Sequence, residues 1–216
     1  MSYDKELVTH KLLRWEHYLN NYRLPAWKEL PDIGLYMDQV IALLGQYLDF
    51  IPVEDMKNEK PVAPTTINNY VRLRVMPAPA KRKYYRIHIA FLIMIFTLKQ
   101  GTSISGLQQL LPAPDASEEE VRAFYSSYIE RLRSVATLYT SLVRDFVQEA
   151  LDSQRSEDEE VENLVIQSIL NSALSRIMGE KLLRLRDADP EAVLAQEKLN
   201  DARGLHPMIP PLEEEA

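Results

Sequence analysis

Residues 65–111 constrain the fold of this 216-residue chain more than any other stretch, because they enclose a nearly uninterrupted apolar run at residues 87–98. Such a run must be buried, yet at about a dozen residues it is shorter than the roughly 20 that cross a membrane. The short preceding helix is predicted to face inward through Ile67, Tyr70 or Val71, and Val75. Only six glycines and little strand-type alternation argue against an extended sheet, so the sequence predicts a mainly α-helical fold.

Local signals predict where the short helix begins and ends. A hydroxyl of Thr65 or Thr66 could accept one of the free backbone N–H groups of a first turn. The helix is therefore predicted over residues 65–74. Pro77 and Pro79 are predicted to end it, because neither has the N–H group that a continuing helix requires.

Two further helices near this stretch are predicted from their caps. Asp32 is the predicted N-cap of a helix that starts around Gly34. Gly101 is predicted to close the apolar helix as its C-cap, and Ser103 to cap the next helix. A separate amphipathic helix is predicted over residues 4–20 from its apolar spacing.

Charge separates this region from the rest of the chain. Residues 60–114 contain eight Lys or Arg residues and no Asp or Glu, whereas the whole chain has a formal net charge of −7. An acid-free basic segment favours a surface that meets a polyanion. Pairing of this segment with the acidic half of the same chain explains the composition equally well, and composition alone does not separate the two.

The order of these elements resembles the MerR-type winged helix-turn-helix. The positions that carry the resemblance are the recognition-helix run 66–70, the proline exit 75–79, the basic wing 81–84 and the turn 101–104. The resemblance implies a DNA-recognition helix and a wing with a short strand pair, which we place around residues 75–76 and 83–85. It also implies dimerisation through a helix that follows the winged domain.

Residues 30–33, 36–40 and 67–71 carry a closer resemblance. In these positions the chain resembles a bacterial family defined as a domain of unknown function, DUF1836, which is taken to be MerR-like. Compared with MerR-type proteins, Asn68 and Asn69 replace an Arg-Tyr pair and Arg74 replaces a glycine.

The second half of the chain reads as a helical bundle. Ser117 and Glu120 form a predicted capping box that opens the longest helix. That helix carries a heptad-type apolar seam, which we predict as the dimer interface. The seam consists of Tyr125, Tyr128, Leu132, Val135, Tyr139, Leu142 and Phe146. Residues 161–185 are apolar on most sides, which is typical of a central bundle helix or of a subunit interface.

These patterns divide the chain into four predicted segments. Residues 1–29 are a helical arm, residues 30–112 the MerR-like winged helix-turn-helix, residues 113–205 a helical dimerisation and effector region, and residues 206–216 an acidic, proline-rich tail.

No catalytic chemistry is apparent in the sequence. The chain has no cysteine, its four histidines are scattered, and it lacks the nucleophile-elbow, zinc-protease and dinucleotide-binding motifs. We therefore expect no enzymatic activity, no metal and no cofactor. The N-terminus lacks the apolar core of a signal peptide, so a cytoplasmic location without membrane association is expected.

The sequence thus predicts a sequence-specific transcriptional regulator that binds double-stranded DNA as a homodimer. The resemblance to MerR-type regulators further implies a small-molecule effector, which the sequence does not identify. The alternative is a helical protein-interaction module that keeps the winged shape without binding DNA. The predicted DNA-contacting residues are Thr65, Thr66, Asn68, Asn69, Tyr70, Arg72, Arg74, Lys81, Arg82, Lys83, Tyr84, Tyr85 and Arg86.

Overall fold

The computed structural model describes residues 3–51, 62–152 and 157–202. Within these ranges the chain is mainly helical, as predicted. The helices are α1 (Lys5–Asn21), a 3-10 turn (Trp27–Glu29), α2 (Met37–Tyr47), α3 (Pro64–Arg72), α4 (Arg86–Leu98), α5 (Ile104–Leu110), α6 (Glu118–Asp152), α7 (Glu157–Arg184) and α8 (Pro190–Ala202). The predicted tail, residues 206–216, lies outside the described residues.

Helix α4 forms the centre of the core, which confirms that the apolar run is buried. Every residue from 88 to 96 is shielded from solvent. Helices α2 and α6 pack against it. Of the residues predicted to face inward, Ile67, Tyr70 and Val75 are buried and Val71 is half-buried. The core extends from Leu24 to Tyr128, so it crosses both predicted boundaries, at residues 29/30 and 112/113.

Two of the predicted helix starts are wrong. Helix α3 begins at Pro64 with Ala63 as its N-cap, so neither Thr65 nor Thr66 caps it. Proline is well suited to this first helical position because its missing N–H would be unpaired there in any case. Helix α2 begins at Met37 rather than around Gly34, and Asp32 does not cap it.

Other caps follow the prediction. The Ser103 hydroxyl accepts from the Gly106 N–H at 3.1 Å and opens α5. Ser117 and Glu120 form the capping box before α6, the two reciprocal bonds measuring 2.8 and 3.3 Å. At the end of α4, however, the C-cap is Lys99 and not Gly101.

The long helices extend beyond this core. Helix α1 packs along α6, where the Arg144 guanidinium donates to the Glu16 carboxylate at 2.6 Å. A small second cluster joins Phe146 of α6 to Leu164 of α7. Farther along, α7 contacts α5. Most of the side chains of α7 between these two contacts are exposed, so this helix is not central in the protomer.

In the part of the chain that the structure describes, no helix is both long enough and apolar enough to span a membrane.

Candidate nucleic-acid interface

The outward face of α3 is polar and carries three of the predicted DNA-contacting residues. Thr65, Asn68 and Arg72 are exposed and recur at steps of three and four, so they share one helical face. Ile67 and Tyr70 lie on the opposite face and are buried. The helix therefore presents hydroxyl, amide and guanidinium groups to solvent while its apolar face holds it on the core.

Helix α3 ends in a Schellman motif rather than at the prolines that were predicted to end it. The Val75 N–H bonds the Tyr70 carbonyl at 3.0 Å, and the Arg74 N–H bonds the Val71 carbonyl at 3.1 Å. Arg74 has a φ of 55°, in the left-handed region where glycine is usual. Its side chain is exposed just beyond the polar face of α3.

The basic turn after α3 is a tight two-residue hairpin. The backbones of Ala80 and Lys83 exchange two hydrogen bonds, of 3.1 and 2.9 Å. Lys81 and Arg82 between them have φ values of 50° and 64°, as a type I′ turn requires. Both side chains are exposed at the tip, so the turn carries two adjacent cations.

The predicted strand pair between residues 75–76 and 83–85 is wrong, because Tyr84 pairs with Leu35 instead. Their backbones exchange two hydrogen bonds of 2.8 Å in an isolated antiparallel bridge. Gly34 permits this close approach, since a β-carbon there would lie 2.9 Å from the Lys83 side chain and 3.0 Å from the Tyr85 ring. Among the described residues the structure contains bridges of this kind but no β-strand.

His88 ties the hairpin to the start of α4. Its Nδ1 accepts from the Tyr85 N–H and its Nε2 donates to the Ala78 carbonyl, both at 3.0 Å. Because a backbone N–H can only donate and a carbonyl can only accept, these partners fix the neutral tautomer with its proton on Nε2. Burial lowers the pKa of His88, which favours the same neutral form.

Most of the cations of this surface are free of acidic partners in the part of the chain that the structure describes. Arg86 is the exception, since it lies 3.5 Å from the Asp32 carboxylate and donates to the Leu30 carbonyl. Arg72 donates to the Asn69 side-chain oxygen at 2.7 Å, which is a neutral partner. We call the exposed cations Arg72, Arg74, Lys81 and Arg82 the basic surface.

Residues 25–128 match a family model described as a domain of unknown function, DUF1836. The matched residues make up just under half of the chain. The match supports the resemblance to this family, and it coincides with the hydrophobic core from Leu24 to Tyr128. It gives no support to the MerR-type resemblance, which stays a prediction. No curated protein and no solved structure significantly matches the chain.

Two predicted DNA contacts, Tyr70 and Tyr84, are buried in this core. Tyr70 packs edge-on against Phe96, and burial raises the pKa of its hydroxyl to about 12. Tyr84 packs edge-on against His88, and burial raises its pKa as well. Neither side chain is exposed to solvent in these positions. Tyr85, 40% exposed, is the tyrosine of the predicted set that faces solvent.

The predicted dimer seam of α6 does not form one free surface. The Tyr125 hydroxyl donates to the Pro25 carbonyl at 2.8 Å, and its ring packs edge-on against Trp27. Tyr128 and Phe146 are also buried within the protomer. In the remainder of the seam, Leu132 and Leu142 are half-buried, while Val135 and Tyr139 are exposed.

Sequence reasoning missed the contribution of residues 33–36 to this surface. Ile33 is 70% exposed and Tyr36 is 57% exposed. The Lys83 ammonium lies 5.3 Å from the centroid of the Tyr36 ring, a cation–π contact. The sequence contained no signal for this contact, because Tyr36 and Lys83 come together only through the pairing of Leu35 with Tyr84.

The described residues contain no cluster of three or more His, Cys, Asp or Glu side chains that could hold a metal ion. The small-molecule effector stays a prediction.

Proposed function

We propose that this protein is a DNA-binding transcriptional regulator that acts as a homodimer. The observation that carries the proposal is the basic surface. Its four exposed cations lie close together in sequence, at the end of α3 and at the hairpin tip. None of them makes an ion pair with a described acidic residue. Unpaired, exposed cations beside a polar helix face are the groups that a phosphate backbone attracts.

In this proposal α3 enters the major groove with its polar face toward the bases. Asn68 reads base edges, since its amide can both donate to and accept from adenine. Asn69 acts differently, because its side-chain oxygen accepts from Arg72 and thereby holds the guanidinium at the edge of the helix. The hairpin tip contacts phosphates and fixes the register of α3 on the duplex.

The number of cations sets the expected salt dependence. If the basic surface contacts about four phosphates per subunit, a dimer neutralises about eight, and the log–log plot of affinity against salt has a slope of about −7. Non-specific duplex DNA is sufficient to measure this slope.

The proposal is tested with the Lys81→Ala/Arg82→Ala/Lys83→Ala variant. We expect it to bind duplex DNA more weakly in gel shifts and to have a shallower salt slope, because it loses the hairpin cations. A matched control, Lys11→Ala/Arg14→Ala/Arg133→Ala, removes three cations from α1 and α6 and gives the same net charge. Absence of duplex binding at low salt, or an equal loss in both variants, would overturn the proposal.

A second candidate function is a protein-interaction module that does not bind DNA. The exposure of Ile33 and Tyr36 beside the hairpin favours it, because apolar side chains of this kind are typical of protein interfaces. Retention on heparin without a gel shift on random duplex would favour this candidate over DNA binding.

A further inference from the structure

Helix α7 has three sections of different charge. Residues 157–163 contain five acids and no base, residues 164–175 contain no charged residue, and residues 176–184 contain three bases and one acid. Within the basic section Arg176 is already paired with Glu180, at 3.0 Å. Lys181 and Arg184 are exposed and make no ion pair with a described residue. The helix therefore has an acidic end, an apolar middle and a basic end.

The apolar middle is not covered by the described part of the protomer. Val161 and Leu164 are buried near the contact with α6, but the apolar side chains that follow are each at least 44% exposed. They are Val165, Ile166, Ile169, Leu170, Leu174, Ile177 and Met178. Exposed apolar side chains that are contiguous along one helix mark an interaction surface.

We propose that this surface binds α7 of a second copy of the chain, in antiparallel orientation. An antiparallel pair places the acidic end of each helix beside the basic end of the other while the two apolar middles pack together. A parallel pair would place acid beside acid and base beside base. The charge order of α7 is thus complementary to itself under a two-fold axis, as a symmetric homodimer requires.

The charge order also gives an approximate register. The two-fold axis passes near Leu170, at the middle of the uncharged section, so Leu170 lies opposite its own copy. Ile166 then lies opposite Leu174 of the second copy, and Glu162 lies beside the turn that carries Lys181. This interface supplies the homodimer that the proposed function assumes, in place of the partly buried seam of α6. The proposed dimer rests on the proposed function only for its biological role. Its existence is tested without DNA, so it can be confirmed or contradicted independently of DNA binding.

The first test is sedimentation of the full chain at micromolar concentration. We expect the wild-type protein to be a dimer and Leu174→Glu to be a monomer, because the substitution places a carboxylate in the apolar middle. Leu13→Glu is the matched control: it changes an exposed leucine of α1 in the same way and is expected to leave the dimer intact. A wild-type monomer, or a dimer that survives Leu174→Glu, would overturn the proposal.

The second test reports orientation and does not depend on a destabilising substitution. The chain contains no cysteine, so an introduced cysteine reports only its own neighbours. Under mild oxidation we expect Leu170→Cys to form a disulfide-linked dimer. Ile166→Cys and Leu174→Cys are each expected to cross-link poorly alone but efficiently when mixed. Efficient cross-linking of each of these two alone, without a gain on mixing, would indicate a parallel pair and contradict the proposal.

Discussion

At the scale of single residues, the basic surface contains unusual backbone conformations. Four non-glycine residues of the described chain have positive φ, and three of them are Arg74, Lys81 and Arg82. A left-handed conformation costs an ordinary L-residue about 1–2 kcal/mol. Strain of this kind persists where the surrounding structure imposes it and is frequent at functional sites. In the hairpin, the two strained residues are Lys81 and Arg82, whose long cationic side chains lie at its tip.

A substitution at the hairpin tip separates backbone strain from charge. Lys81→Asn/Arg82→Gly introduces the Asn-Gly pair that a type I′ turn prefers, so we expect the free energy of unfolding to rise by about 1–2 kcal/mol. DNA affinity should fall, because both cations are removed. The variant Lys81→Ala/Arg82→Ala loses the same charges, but its alanines must still adopt the left-handed conformation. Its DNA affinity should therefore fall equally, while its free energy of unfolding should not rise. Urea unfolding and gel shifts measure the two effects; equal stability of the two variants would argue against strain.

At the scale of elements, α4 does more than fill the core, because its first turn holds the hairpin through His88. The imidazole joins the Ala78 carbonyl to the Tyr85 N–H across the basic turn. Protonation would place a second proton on Nδ1, against the Tyr85 N–H. The position of the hairpin relative to α3 is thus linked to the neutral form of one histidine.

This linkage predicts a pH dependence of stability. Burial lowers the pKa of His88 in the folded state, whereas an unfolded histidine titrates near 6.5. The stabilisation is therefore complete above about pH 6.5 and is lost as the pH falls, because the unfolded chain binds the proton more readily. Urea unfolding between about pH 7 and pH 5 should show this decrease in the free energy of unfolding. In His88→Gln the decrease should be smaller, because glutamine does not titrate in this range. The exposed-histidine variant His17→Gln should keep the wild-type profile; the same profile in His88→Gln would contradict the assignment.

At the scale of the whole molecule, one core unites segments that are distant in sequence. Trp27 lies before α2 and Tyr125 lies in α6, yet their rings are in edge-on contact with centroids 6.0 Å apart. Tyr125 also bonds the Pro25 carbonyl. The N-terminal part of α6 therefore belongs to this core, while its remainder packs on α1.

Truncation of Trp27 tests whether this segment is part of the cooperative unit. Trp27→Ala should lower the free energy of unfolding by roughly 3–5 kcal/mol, the cost of deleting a buried aromatic side chain. Trp15→Ala should cost less, because Trp15 is only half-buried on α1. Circular dichroism during guanidinium unfolding measures both variants without relying on tryptophan fluorescence. A smaller effect at Trp27 than at Trp15 would place the segment outside the domain core.

The sequence by itself determined the features that depend on neighbouring residues. These include the buried run that became α4, the Ser103 cap of α5 and the Ser117–Glu120 capping box of α6. Each follows from composition, from helical spacing or from a side chain that bonds the backbone three residues away. The inward faces of Ile67 and Tyr70 were also predictable, since periodicity defines the faces of a helix.

Only the tertiary structure decided which surfaces meet. The pairing of Tyr84 with Leu35 removed the predicted strand pair, and the contact of Tyr125 with Pro25 and Trp27 buried part of the predicted dimer seam. Helix α3 ends just before the left-handed Arg74, and not at Pro77 and Pro79, which were predicted to end it. The physical reason is that periodicity specifies an apolar face but not its partner: the partner depends on packing between segments that are far apart in the chain.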